Sequence, residues 1–162
     1  MRRRLLVLGV LMTLFAFALA APASATTPLD VDIDVRVVIP ADGPPSGTFE
    51  ATGPAVAAGL LCAEGTHRTL LEKFAGSSDV VVNATVITEF TCTDAPFAGD
   101  TFITKAQLHA DLTSGPPTWV LRWVVKGGTG AFADLHGSGS GTGGYVSAIP
   151  LTILDQYTGG LH

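Results

Sequence analysis

From Asp30 to Val37 every second residue is apolar: Val31, Ile33, Val35 and Val37 fall on one side, Asp30, Asp32, Asp34 and Arg36 on the other. A repeat of two marks an extended strand with one face covered and one in water, because successive side chains leave opposite faces of the pleat. The pattern returns along the chain. Between Val80 and Cys92 the even positions Val80, Val82, Ala84, Val86, Thr88, Phe90 and Cys92 share a face, with Asn83, Thr85, Glu89 and Thr91 opposite. Phe102, Thr104, Ala106, Leu108, Ala110 and Leu112 repeat it, against Lys105, Gln107, His109 and Asp111. In Thr118–Lys126 the aligned residues are Trp119, Leu121, Trp123 and Val125; the other face mixes Val120 and Val124 with Arg122 and Lys126 and is partly covered.

The remaining segments read as further strands: Gly47–Thr52, Thr66–Phe74 with imperfect alternation, a Gly-rich one over Gly137–Ser147, and a last one over Leu151–His162. Pro40–Pro45, Gly99-Asp100 and Ser114–Pro117 carry turn chemistry. Residues 53–63 are rich in Ala and Gly; Ala and Leu favour a helical turn there, Gly53, Pro54 and Gly59 irregular structure. No long segment keeps a helical period. The fold class is therefore all-β, a barrel or a sandwich. Strands of about ten residues favour a single antiparallel barrel, because closure removes exposed edges. The polar faces carry Asp, Glu, Lys and Arg, so this is not the apolar exterior of a membrane barrel.

The N-terminus is a separate matter. Arg2, Arg3 and Arg4 precede the apolar run Leu5–Ala20, and Ala23-Ser24-Ala25 supplies small residues at a cleavage site. This is the layout of a secretory signal peptide over residues 1–25, with the folded domain at 26–162. The 16-residue apolar run is shorter than the roughly 20 residues of a spanning helix. Three of the nine basic residues lie in that segment and none of the fourteen acidic ones, which leaves a net charge of −8 on 137 residues. Such a surface is a poor partner for nucleic acid or for anionic membranes, and no stable membrane insertion is expected after cleavage. Cys62 and Cys92 are the only cysteines. In an oxidising compartment an even pair is most simply a disulfide; a metal site or catalytic thiol lacks a His at ligand spacing to either.

Gly127-Gly128-Thr129-Gly130-Ala-Phe132-Ala-Asp-Leu135-His-Gly137 follows the Trp-bearing strand. It formally fits a dinucleotide fingerprint, but that motif needs a helix next, and the Gly- and Ser-rich run after His136 cannot form one. A tight excursion between strands fits better, with Phe132 and Leu135 tucked onto the barrel end and Gly137, Gly139 and Gly141 restarting a kinked strand. The pattern Gly-Gly-Thr-Gly-x-Phe-x-x-x-x-Gly resembles the motif of the allene oxide cyclase and dirigent-like barrel superfamily, as carried by small secreted proteins of high-GC bacteria. The clear resemblance covers about Trp119–Gly141. It implies an antiparallel barrel of about eight strands with a central cavity, trimeric in many plant relatives, so a homo-oligomer is an expectation. None of that superfamily's catalytic residues matches a position here.

Chemistry is sparse. His67, His109, His136 and His162 have no metal-like spacing and read as surface residues. Asp30, Asp32 and Asp34 lack the Gly and Glu of a calcium loop, and alternate strand positions stand about 7 Å apart. Trp119, Trp123, Phe90 and Phe102 are the candidates to line a cavity for a small apolar ligand, although such aromatics more often form plain core. No cofactor is indicated. The expected function is a binding or structural module; the alternative is a cyclase- or isomerase-like barrel that confines a reactive apolar substrate. An ionisable side chain inside an open cavity favours the enzyme, and a cavity packed shut by aromatics favours the structural role.

Overall fold

The alternation is realised as eight strands: β1 (Leu29–Ile39), β2 (Ser46–Thr52), β3 (Glu64–Phe74), β4 (Val81–Cys92), β5 (Thr101–Asp111), β6 (Thr118–Gly128), β7 (Gly137–Ala148) and β8 (Leu151–Leu161). In this computed structural model residues 27–76, 78–113 and 117–162 are described; residues 1–25, read from the sequence as a signal peptide, and most of the 114–117 stretch read as a turn lie outside them. Each strand pairs antiparallel with the next, and β8 pairs back with β1, giving a closed barrel. The side chains of Val31, Ile33, Val35 and Val37 point into it while Asp30, Asp32, Asp34 and Arg36 face solvent. The Asp triplet is a solvated face.

Two irregularities explain where the pattern blurs. A bulge between Thr69 and Leu71 breaks the register of β3 with β4 and disturbs its alternation. The Gly-rich β7 stays in register with β8 from Gly137 to Tyr145, with its bulge between Tyr145 and Ser147, so no bulge falls among its first glycines. They serve close approach instead. Gly139, Gly141 and Gly143 stand opposite Trp123, Leu121 and Trp119 of β6; Leu121 and Trp119 lie over Gly141 and Gly143, while Trp123 lies over Gly159 of β8, the pairing partner of Gly139.

The two ends of the barrel differ. At one end a single helical turn, α1 (Pro54–Ala57), sits in the stretch that composition left undecided, with Ala55 and Leu61 buried. Cys62 and Cys92 form a disulfide there, with a Cα–Cα distance of 5.9 Å. The Gly127–Gly137 excursion closes the same end. Gly130 has φ of 54°, and a Cβ on it would run into the Asp100 carboxylate, which accepts the Ala131 N–H at 3.0 Å. Phe132 and Leu135 are buried as expected, and Phe132 meets Phe97 and Phe102 with ring centroids 5.3 and 5.8 Å away. Phe49, Phe90 and Phe102 fill the interior behind this plug; Phe90 and Phe102 stack at 4.7 Å, with Phe49 edge-on to both. The opposite end, where β1, β3, β5 and β7 finish, has no such plug among the described residues.

Candidate functional site

A cavity of about 120 Å³ occupies the unplugged half of the barrel. Its walls are Val35, Val37, Val86, Leu108, Leu121 and Ile153, and it reaches the rim at Ile39, Pro45 and the exposed Glu72. Cavities of roughly 150 Å³ hold a benzene-sized guest, so this one encloses about five non-hydrogen atoms, and a guest of about six or seven extends toward the open rim. Exposed apolar side chains flank its mouth at the strand ends: Phe74, Val80, Leu112 and Ile149. Polar groups converge inside, from Thr69 and Thr88, His67, Asp155 and Tyr157.

Asp155 projects inward from β8 between Ile153 and Tyr157 and is buried. Its Oδ1 accepts the Trp119 indole N–H at 2.6 Å. The two residues come from strands that are not neighbours; Gly143 of β7 pairs with both, and a Cβ there would collide with the indole nitrogen and the carboxylate oxygen alike. Burial pushes the Asp155 carboxyl up to about 6, and the indole hydrogen bond opposes that shift without cancelling it. Tyr157 forms the floor, with its ring edge-on to Phe90 and Trp123 at centroid distances of 6.5 and 6.0 Å. Burial, reinforced by the Asp155 charge, holds its phenol above the ordinary value, so it stays a hydrogen-bond donor.

His67 overturns its reading as a surface residue: it is 5% exposed. The same construction places it. Gly47 of β2 stands beside it, and across that bare position the imidazole reaches the Arg36 carbonyl of β1 at 3.1 Å from Nε2. A carbonyl only accepts, so Nε2 carries the proton and Nδ1 presents a lone pair. That Nδ1 is buried and has no hydrogen-bond partner. Desolvation lowers the His67 pKa more than the Arg36 carbonyl raises it, so the ring is neutral near pH 7.

The aromatic candidates from the sequence point inward but stand behind the cavity. Trp123, Phe90 and Phe102 are core residues, and none of these or Trp119 lines it. Trp123 Nε1 donates to the Ser140 and Thr158 carbonyls, 3.2 Å away in each case, while Trp119 orients Asp155. His109 bonds Asn83 on the outer face at 2.8 Å; His136 and His162 meet at the plugged end. Cys62 and Cys92 lie near Asp94 in a group with metal-like proximity, but both sulfurs belong to the disulfide. Sequence reasoning passed over Asp155 and Tyr157. Their signal was present: continuing the two-residue repeat of β8 inward from Ile153 puts an acid and a phenol on an apolar face. Compared with known proteins, the chain matches no family model, no curated protein and no solved structure.

Proposed function

We propose that this protein is an exported binding barrel that takes up a small, mostly apolar molecule bearing a polar group. The observation that carries the reading is the composition of the cavity: apolar walls surround a neutral imidazole with an unpartnered acceptor, a carboxyl and a phenol. An apolar guest replaces water along Val35, Val37, Leu108 and Leu121, and its polar group meets donors and acceptors that would otherwise go unmatched. Export is supported by the signal-like N-terminus and by the disulfide, which suits an oxidising compartment. No helix of the described residues is long and apolar enough to cross a membrane. Kinship with the dirigent-like barrels, and an oligomer of their kind, rest on the Gly127–Gly137 motif.

One feature favours catalysis over a purely structural role. Ionisable side chains stand inside a cavity that reaches the barrel rim, whereas the aromatics pack the other half shut.

The test is titration of the oxidised barrel with phenol, cyclohexanone and benzene, followed by methyl and aromatic NMR. Phenol and cyclohexanone should bind saturably, with Kd on the order of millimolar for guests of this size, and shift the signals of Leu121, Thr88 and Tyr157. Benzene should bind more weakly, since it leaves the polar groups unmatched. If none of the three shifts these signals, the cavity is not a ligand site.

A further inference from the structure

Building on the binding reading above, we propose that the cavity is a proton-transfer site, in which His67 Nδ1 and the Asp155 carboxyl move a proton within a small enolisable carbonyl compound and shift its double bond. Geometry makes the case. His67 Nδ1 is a lone pair held in a residue 5% exposed, with no protein donor to satisfy it; the Nε2–H bond to the Arg36 carbonyl fixes the tautomer that presents it. Asp155 lines the same cavity, and the Trp119 indole fixes one of its oxygens. His67 of β3 and Asp155 of β8 thus line one cavity, whose other walls are largely apolar. Tyr157 adds a phenol donor on the floor.

The step is self-contained. His67 Nδ1 takes a proton from the carbon next to the carbonyl, and that C–H electron pair becomes a carbon–carbon double bond. The carbonyl π pair moves to oxygen, which takes the proton of the Asp155 carboxylic acid to give a dienol. Return of the O–H proton to Asp155 re-forms the carbonyl, and the proton on His67 is delivered to the distal carbon. A β,γ-unsaturated ketone becomes its conjugated isomer, both side chains recover their starting states, and no oxidant, reductant or water is consumed.

The pH dependence follows from these two groups. The titratable side chains lining the cavity are His67, Asp155, Tyr157 and, at the exposed rim, Glu72. From the strands flanking Asp155, Val35 and Gly143 face it without charge, while Asp34 and Arg36 point outward. Around His67, Gly47, Thr88 and Phe90 are uncharged, and Glu89 is outside, paired with Arg68 at 2.7 Å. Turnover should therefore fall as pH rises through about 6, where the acid is lost, and fall again at lower pH as His67 is protonated.

The probe is a β,γ-unsaturated cyclohexenone, of about seven non-hydrogen atoms, part of which extends toward the open rim. Its conversion is followed by the ultraviolet absorbance of the conjugated product, and in heavy water by retention of the transferred proton in that product. The oxidised barrel should accelerate conversion saturably over buffer. His67→Gln and Asp155→Asn should each lower kcat by about 100-fold or more while the bound probe still shifts the Leu121 and Tyr157 signals. Trp119→Phe, a change to a positioning residue, should move the upper limb of the pH profile rather than abolish activity. If the wild-type barrel binds the enone but does not speed its conversion, proton transfer is overturned and binding stands. Should the enone not bind although phenol and cyclohexanone do, proton transfer is overturned and binding stands; the binding reading falls only if those guests also leave the cavity signals unmoved. The wild-type rate over buffer keeps the test decisive even where a variant fails to fold.

Discussion

Burial sets the Asp155 carboxyl against the charge it would carry in water, and the consequence is a pH-dependent stability. Its folded value, near 6 against an ordinary 3.8, is raised, so between these limits the folded protein holds a proton that the unfolded chain has released. The stabilising contribution is complete below about 3.8 and is lost as pH rises through about 6. For a group this buried the loss is on the order of 3 kcal/mol. Asp155→Asn keeps a carbonyl oxygen for the Trp119 indole and removes the charge. The variant should match wild type in urea at pH 4 and exceed it at pH 8 by about 2–3 kcal/mol; equal midpoints at pH 8 would show that the carboxyl is better solvated than its position indicates. Comparing the two proteins at each pH cancels the opposite effect of His67, which is held neutral and so weakens the fold as pH drops below its ordinary value. At this scale the sequence was partly legible. Asp155 falls on the inward repeat with Ile153, Tyr157 and Leu161, but Thr152 and Leu154 on the other face hide which side is apolar. His67 gave no sign at all, because its burial depends on Gly47 of another strand.

The strands themselves were readable wherever a polar face and an apolar face differ in kind, as in β1, β4 and β5. β3 was not clear, since the bulge at Thr69/Leu71 shifts its side chains by one place. The glycines of β7 were recognised as strand residues, but their purpose depends on the neighbouring strands: Gly143 accommodates Trp119 of β6, and Gly139 lets the β8 backbone approach closely. Such a need is invisible along one segment. The disulfide belongs to the same scale, tying the loop after α1 to the end of β4 across a separation of 30 residues. Cross-linking a loop of that length restricts the unfolded chain by about 3–4 kcal/mol in the chain-entropy model. Replacing Cys62 and Cys92 together by Ala should lower the stability measured in urea by about that amount. The signals of Leu121 and Tyr157 should be unchanged, because the bridge stands at the plugged end and the cavity at the other. A loss below about 1 kcal/mol would mean that the unfolded chain is already restricted there.

Across the whole molecule the interior is divided: aromatic rings fill one half to contact and the other half is left hollow. A barrel built only for stability has no reason to leave that space, since filling it would gain dispersion and burial. Ala106 is the small residue of β5 that lines it, 3% exposed and paired between Val86 and Trp123. Ala106→Leu adds about three methylene groups, worth roughly 2 kcal/mol of burial, against a packing strain of about 1–3 kcal/mol. The two nearly cancel, so the melting temperature should change by only a few degrees. Phenol affinity, in contrast, should drop at least tenfold, because the side chain takes the volume of the guest. A variant that is destabilised by more than about 3 kcal/mol would show that the hollow half collapses in solution. One that folds as before and still binds phenol would place the ligand outside the barrel. The expected combination, stability kept and binding lost, would separate what the hollow half does for the fold from what it does for a guest.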